Sequence, residues 1–180
     1  VRNLRRIGLS LVLAVVLLVG FTVPALATNP TVAITVTAQV VSITNSQNTW
    51  TMGIIDTSAT VYFSANNLED VDYSLITNTG SVAEDVEIQG TIIEGGTYDW
   101  TWDTTPGDQI FSLYAYNVSS AAYDIPVKPT PFSDIVVDLP ATGSDTYTWS
   151  MKFMGPTAFN ANDDSLEKSA TVTLVASKHV

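Results

Sequence analysis

"TYDWTWDTTPG" runs from Thr97 to Gly107. Tyr98, Trp100 and Trp102 occupy every second position, with Asp99 and Asp103 between and after them. In an extended chain, alternate side chains share a face, so the three rings project together. Two structures follow from that pattern. The rings form either an exposed platform flanked by acids or the buried side of a strand. The same spacing recurs at Trp50-Thr51-Met52 and at Trp149-Ser150-Met151. A ligand platform gathers its aromatics in one place, whereas here the motif is spread over three separated segments and includes methionine, which fills gaps in cores. Tryptophan buries a large area and anchors packing. The recurrence therefore reads as the inward side of strands, and it sets the fold class as all-β.

The neighbouring segments carry the same period of two, and no sustained helical period interrupts them. "TVAITVTAQV" sets Val32, Ile34, Val36, Ala38 and Val40 against Thr35, Thr37 and Gln39, and the phase slips near Val41 and Ile43 as at a bulge. "VYFSA", "DYSLITN" and "AEDVEIQGTII" follow. "QIFSLYAYN" places Phe111, Leu113 and Ala115 on one face and Tyr114 and Tyr116 on the other. "DIVVDL", "TYTWSMKFM" and "SATVTLVAS" complete nine or ten strands at the spacing of a sandwich or barrel. "TNTGS" (77–81) predicts a hairpin loop with Gly80 at positive φ, "EGGT" (94–97) a second, and "TTPGD" (104–108) a Pro-Gly turn. The three prolines of "IPVKPTPFSD" (125–134) restrict it to an edge or a long crossover. The expected architecture is an antiparallel, immunoglobulin-like β-sandwich.

Residues 1–27 stand apart. Arg2, Arg5 and Arg6 precede an apolar run from Ile7 to about Val23, Pro24 breaks it, and Ala25-Leu26-Ala27 closes it. That layout is expected of a secretory signal helix cleaved after Ala27, with residues 28–180 forming one domain and no membrane anchor left after cleavage. The alternative is a retained anchor, since the apolar run approaches the roughly 20 residues of a span. Export places the protein outside the cell or on its surface. The absence of cysteine means that packing alone holds it together there.

After residue 27 only Lys128, Lys152, Lys168 and Lys178 oppose all eighteen acids. Nucleic acid is excluded as a partner, because phosphate binding requires clustered cations. The one histidine, His179, is next to last, which argues against His-dependent nucleophiles and His/Cys zinc sites. Acid pairs such as Glu84-Asp85 are plentiful, but a catalytic pair is made by pocket geometry rather than by acid count. The expected class is therefore not an enzyme and needs no cofactor.

Two alternative binding readings remain. Exposed Trp100 and Trp102 could stack on a glycan, with Asp99 and Asp103 hydrogen-bonding its hydroxyls. In "NANDDSLEK", Asn160, Asn162 and Asp164 alternate as at the start of a calcium loop, although Ser165 and Thr171 stand where an EF-hand needs Gly and Glu. "NNLEDVD" (66–72) is a second oxygen-rich candidate for calcium. "LPATG" (139–143) matches a sortase sorting motif, but an alternating strand follows it instead of an apolar span, so it reads as a turn. The uncharged strand from Thr31 to Thr44 is a candidate for self-association by strand exchange, since natural edges are usually protected by charge or proline.

"LITNTGSVAEDVEIQGT", through Asn78, Gly80, Val86 and Ile88, resembles hairpins of secreted prokaryotic immunoglobulin-like modules, including CARDB-type adhesion domains. "TYTWSMKFMGPT" followed by "EKSATVTLVAS" is similar to the last strands of WxL and camelysin-like surface proteins, with Met151 where those have Leu. The resemblance covers about a third of the chain. It implies a non-catalytic surface, adhesion, matrix or filament role and transfers no functional residue.

Overall fold

The computed structural model describes residues 36–63, 73–141, 146–161 and 166–180. The expected signal segment (1–27), the first residues of the expected N-terminal strand (31–35) and "NNLEDVD" (66–72) lie outside them. Residues 38–180 form one compact unit, and of residues 1–37 only Val36 and Thr37 are described. The described residues are all-β and contain no α-helix. Their strands are β1 (Ile43–Asn45), β2 (Thr60–Tyr62), β3 (Ser74–Asn78), β4 (Glu84–Gly90), β5 (Thr101–Trp102), β6 (Ile110–Asn117), β7 (Ala122–Pro126), β8 (Ser133–Leu139), β9 (Thr146–Trp149), β10 (Met151–Met154) and β11 (Val172–Lys178).

They assemble into three sheets: β1-β3-β9, β11-β4-β8, and β2-β10-β6-β5 with β7 also on β6. Pairing is antiparallel except for β5, which lies parallel to β6 with Trp102 opposite Phe111. β9 and β10 are one continuous stretch that changes sheet at Ser150. The alternation read from the sequence carries the burial. On β4, Glu84, Val86, Ile88 and Gly90 are buried while Asp85, Glu87 and Gln89 are partly exposed. On β6, Phe111, Leu113 and Ala115 point inward, and Met151 and Phe153 pair beside them from β10. Ile76 and Trp149 enter the same core from the first sheet, and Ile135 and Leu139 from β8. The Phe111 and Phe153 rings stack at 5.9 Å. One core served by the inward rows of several sheets is consistent with a β-sandwich.

Polar ties fix the ends. Asn45 Oδ1 accepts hydrogen bonds from Ser74 Oγ at 2.5 Å and Trp149 Nε1 at 3.0 Å, knitting β1, β3 and β9 together. The buried Glu84 accepts from Ser42 N at 2.7 Å and so holds the chain entering β1. Near the C-terminus, His179 Nδ1 lies 2.7 Å from Asp85 Oδ1. The Asp138 backbone N–H, and secondarily His179, hold the Asp85 carboxyl below its usual range.

Three expectations change. The "TNTGS" segment is not a hairpin loop. β3 pairs with β1 and β9, while β4 pairs with β11 and β8, so the segment carries the chain from one sheet to another. Asn78 steers that crossing by donating to Val82 O at 2.8 Å and Leu139 O at 2.9 Å. Gly80 is also not among the residues at positive φ. Its missing side chain serves a close approach, because a Cβ there would strike Glu84 Oε1 and the Val40 carbonyl. "EGGT" does form a tight connection, with Gly95 and Gly96 at φ 122° and 72° and Ile93 paired to Trp100. Finally, the N-terminal strand is shorter than Thr31–Thr44 in its described part. Residues 36–42 are not strand, although Val40 O accepts from Ser81 N and Ser42 O from Thr79 N, so the tie to this unit begins at Val40. The proline-rich segment behaves as expected. β7 is an edge on β6, and the chain beyond it crosses to β4, where Gly90 N donates to Lys128 O.

Candidate functional site: an aromatic face of tyrosines

The tryptophans of the opening motif are largely turned inward. Trp100 is 7% exposed, which corrects the reading of it as an exposed platform. Its backbone pairs with Ile93, its ring stacks on Phe159 at 5.1 Å and 3°, and Lys168 Nζ lies 5.3 Å from the ring centroid. Those contacts occupy the ring that a sugar would need. Lys168 is held there by the carbonyls of Gly95 and Tyr98. Trp102 is half-buried and packs on the core. Trp50 is half-buried and meets Phe63 edge-on at 5.6 Å. The indole N–H groups of Trp50, Trp100 and Trp102 are buried without a hydrogen-bond partner among the described residues, as befits rings placed for packing at some polar cost.

The acids of the motif stay outside. Asp99 and Asp103 are exposed, and Asp103 Oδ1 accepts from Thr104 N at 2.5 Å and Thr104 Oγ1 at 3.0 Å, which shapes the turn. The structure therefore separates Trp100 from its flanking carboxylates. Asn160 is half-buried, while Asn162 and Asp164, with Asp163 and Ser165 of the same candidate calcium loop, lie outside the described residues. No group of three or more His, Asp or Glu residues placed to hold a metal occurs among the described residues.

A different set of aromatics is brought together on the outward face of the β2-β10-β6-β7 sheet. Register does the assembling. Lys152 of β10 stands opposite Tyr62 on one side and Tyr114 on the other, and Tyr116 stands opposite Tyr123 of β7. Ring centroids are 5.3 Å apart for Tyr62 and Tyr123, 5.2 Å for Tyr116 and Tyr123, and 6.1 Å for Tyr73 and Tyr116. Lys152 Nζ sits 5.8 Å from the Tyr114 ring and 5.9 Å from the Tyr123 ring, within reach of both π faces. Five of the seven tyrosines thus share one patch, with Lys152 against the rings of two of them. Tyr62 and Tyr73 are 37% and 50% exposed, at the two ends of the row.

The inner members are more enclosed. Burial pushes the Tyr123 phenol above its usual range, with the neighbouring tyrosines adding to the shift. Burial, then the Asp103 charge, does the same to Tyr114, whose hydroxyl donates to Thr104 O at 3.0 Å. The rings therefore stay neutral hydrogen-bonding groups at ordinary pH. Tyr147 of β9 stands at the margin of this region, and burial raises its phenol too.

Sequence reasoning placed Tyr114 and Tyr116 on the face opposite Phe111 and Leu113. It did not find Tyr62, Tyr73, Tyr123 or Lys152. The available signal was the outward phase of each residue in its own strand. No protein-family model matches this chain, and neither the curated proteins nor the solved structures show a match to it.

Proposed function

We propose that this chain is a non-catalytic structural or interaction protein of the cell surface or extracellular matrix. In this reading it is exported by removal of residues 1–27 and built on an immunoglobulin-like sandwich. The tyrosine face carries the reading. Tyrosine offers a large rigid ring and a hydroxyl at little conformational cost, and it is enriched where proteins meet partners. Here the rings cluster on the outward side of a sheet whose inward side is already filled. They are inclined to one another by 55°, 64° and 70° rather than coplanar. That relief suits the uneven surface of a protein partner better than the flat face of a polysaccharide.

The test is retention of the purified chain on envelope and matrix fractions of its own source, compared with retention on insoluble polysaccharide. Replacing Tyr62 and Tyr73 together by serine should release the protein from the envelope fraction with little change in melting temperature. Undiminished retention of the double variant would overturn the role of this face. Retention on polysaccharide alone, lost in the same variant, would replace the protein partner with a glycan.

A further inference from the structure

The sequence holds one Asn-x-Ser/Thr sequon whose middle residue is not proline, Asn117-Val118-Ser119; Asn29-Pro30-Thr31 is excluded by its proline. Asn117 is the last residue of β6 and stands opposite Ala122, the first of β7. Residues 118–121 between them are exposed. Asn117 Oδ1 accepts from Ser119 N at 3.0 Å and from Ser120 N at 3.4 Å, an Asx turn that fixes the side chain across the loop. The amide nitrogen is left over. Asn117 Nδ2 donates to no group among the described residues and is not buried, whereas Nδ2 of Asn78 donates to two carbonyls in the interior. The Ser119 hydroxyl is equally uncommitted among the described residues, while that of Ser120 donates to Asp124 Oδ2 at 2.8 Å. The fold therefore presents both groups that define the sequon at the tip of an exposed turn.

Asn117 and Ser119 also line one side of a cleft of about 320 Å³, with Ile125, Asp134, Val137 and Tyr147 among the residues facing them. That is roughly ten times the ~30 Å³ share of one water molecule in the liquid, a space of the order of one sugar ring. The lining suits a sugar. The half-buried Tyr147 ring and the valines offer apolar surface to its C–H face, and the exposed Asp134 carboxylate accepts from its hydroxyls. Val137 is 58% exposed, so part of that apolar surface faces water when the cleft is empty. We propose that Asn117 is N-glycosylated and that the first sugar of the attached glycan lies in this cleft. The proposal rests on the export part of the proposed function, because such sequons are glycosylated on secreted chains. The donor is a glycan joined through its anomeric carbon to a lipid pyrophosphate, and a host transferase joins the two. Asn117 Nδ2 forms the new bond to the anomeric carbon and loses a proton to solvent. The carbon–oxygen bond to the pyrophosphate breaks, the lipid pyrophosphate leaves with the electron pair, and nothing is oxidised or reduced. The site of attachment fixes the occupant, since a sugar on Asn117 Nδ2 starts at the rim of the cleft.

The test uses the chain purified from the medium or envelope of its own source cells, with mass spectrometry of the proteolytic peptide that contains Asn117. That peptide should carry a whole number of sugar residues. Asn117→Gln and Ser119→Ala should each remove them, and Ser119→Thr should keep them, since either hydroxyl serves the sequon. Ser119→Ala leaves the Asx turn in place, because the turn uses the Ser119 backbone N–H. An unmodified Asn117 in chain recovered outside the cell would overturn the proposal and leave export standing. A chain kept inside the cell with residues 1–27 attached would overturn export and this inference together. The seat in the cleft has its own readout. The chain contains no cysteine, so Val137→Cys in the cleft and Val175→Cys on the exposed side of β11 are each labelled by a thiol reagent at a single site. The sugar should slow labelling of Val137→Cys several-fold relative to the same variant carrying Ser119→Ala, and should leave Val175→Cys unchanged. Equal rates at Val137→Cys in the glycosylated and unglycosylated chains would overturn the cleft as the place where the sugar lies.

Discussion

The tryptophans and the clustered tyrosines are treated in opposite ways by the same fold. Trp100 and Trp149 are buried, and Trp50 and Trp102 lean on the core from its margin. Tyr62, Tyr73, Tyr114, Tyr116 and Tyr123 meet on the outward face, with Lys152 against Tyr114 and Tyr123. Both groups obey the same period of two, and what separates them is phase. Phe153 and Val61 sit opposite one another on the inner row, and Lys152 and Tyr62 on the outer row one residue away. A sheet filled on one side by Phe, Leu and Met does not need rings on its other side for stability. Aromatics retained there are available for a partner, whereas those on the inside are committed to packing.

The largest effect expected from this contrast is at Trp149. Replacing it with alanine removes a buried ring and the hydrogen bond to Asn45, and should destabilise the fold by about 3–5 kcal/mol in denaturant unfolding. A loss below about 1 kcal/mol would place Trp149 with the surface aromatics and break the comparison. The Tyr62→Ser and Tyr73→Ser double variant should show the reverse profile, with stability changed by no more than about 1 kcal/mol in total and retention on the envelope fraction lost.

How much of this was legible in the sequence depended on whether the determinant was local. The inward rows of β4, β6 and β10 could be read directly, because each strand carries its own alternation in Val86-x-Ile88, Phe111-x-Leu113 and Met151-x-Phe153. The tyrosine face could not be assembled in the same way. Tyr62, Tyr114 and Tyr123 belong to three strands, and only the long-range registers of Lys152 with Tyr62 and Tyr114, and of Tyr116 with Tyr123, bring them together. The Gly80 segment failed for a related reason. Its turn chemistry announced a reversal, but not that the next strand would join another sheet. Trp100 was ambiguous because period-two alternation is the same for a platform and for a core, and the choice was made by distant residues, Phe159 and Lys168.

A smaller effect sharpens the comparison within the tyrosine face itself. Burial raises the folded-state pKa of Tyr123 and Tyr114 above the unfolded value of about 10. Their stabilising contribution is therefore complete below that value and is lost as pH rises through the folded pKa values. Ultraviolet absorbance of phenolate during alkaline titration should show a late component that Tyr123→Phe reduces. The same substitution should flatten the fall in stability at high pH. A titration with no late component would make the row uniformly solvent-exposed.

The division between packing tryptophans and presenting tyrosines is tested most directly by acrylamide quenching of tryptophan fluorescence in the native chain. Quenching should be far weaker than in the same chain unfolded by denaturant, and the Tyr62→Ser and Tyr73→Ser double variant should leave it unchanged. Native tryptophans as open to acrylamide as those of the unfolded chain would contradict the division and return the opening motif to the role of an exposed platform.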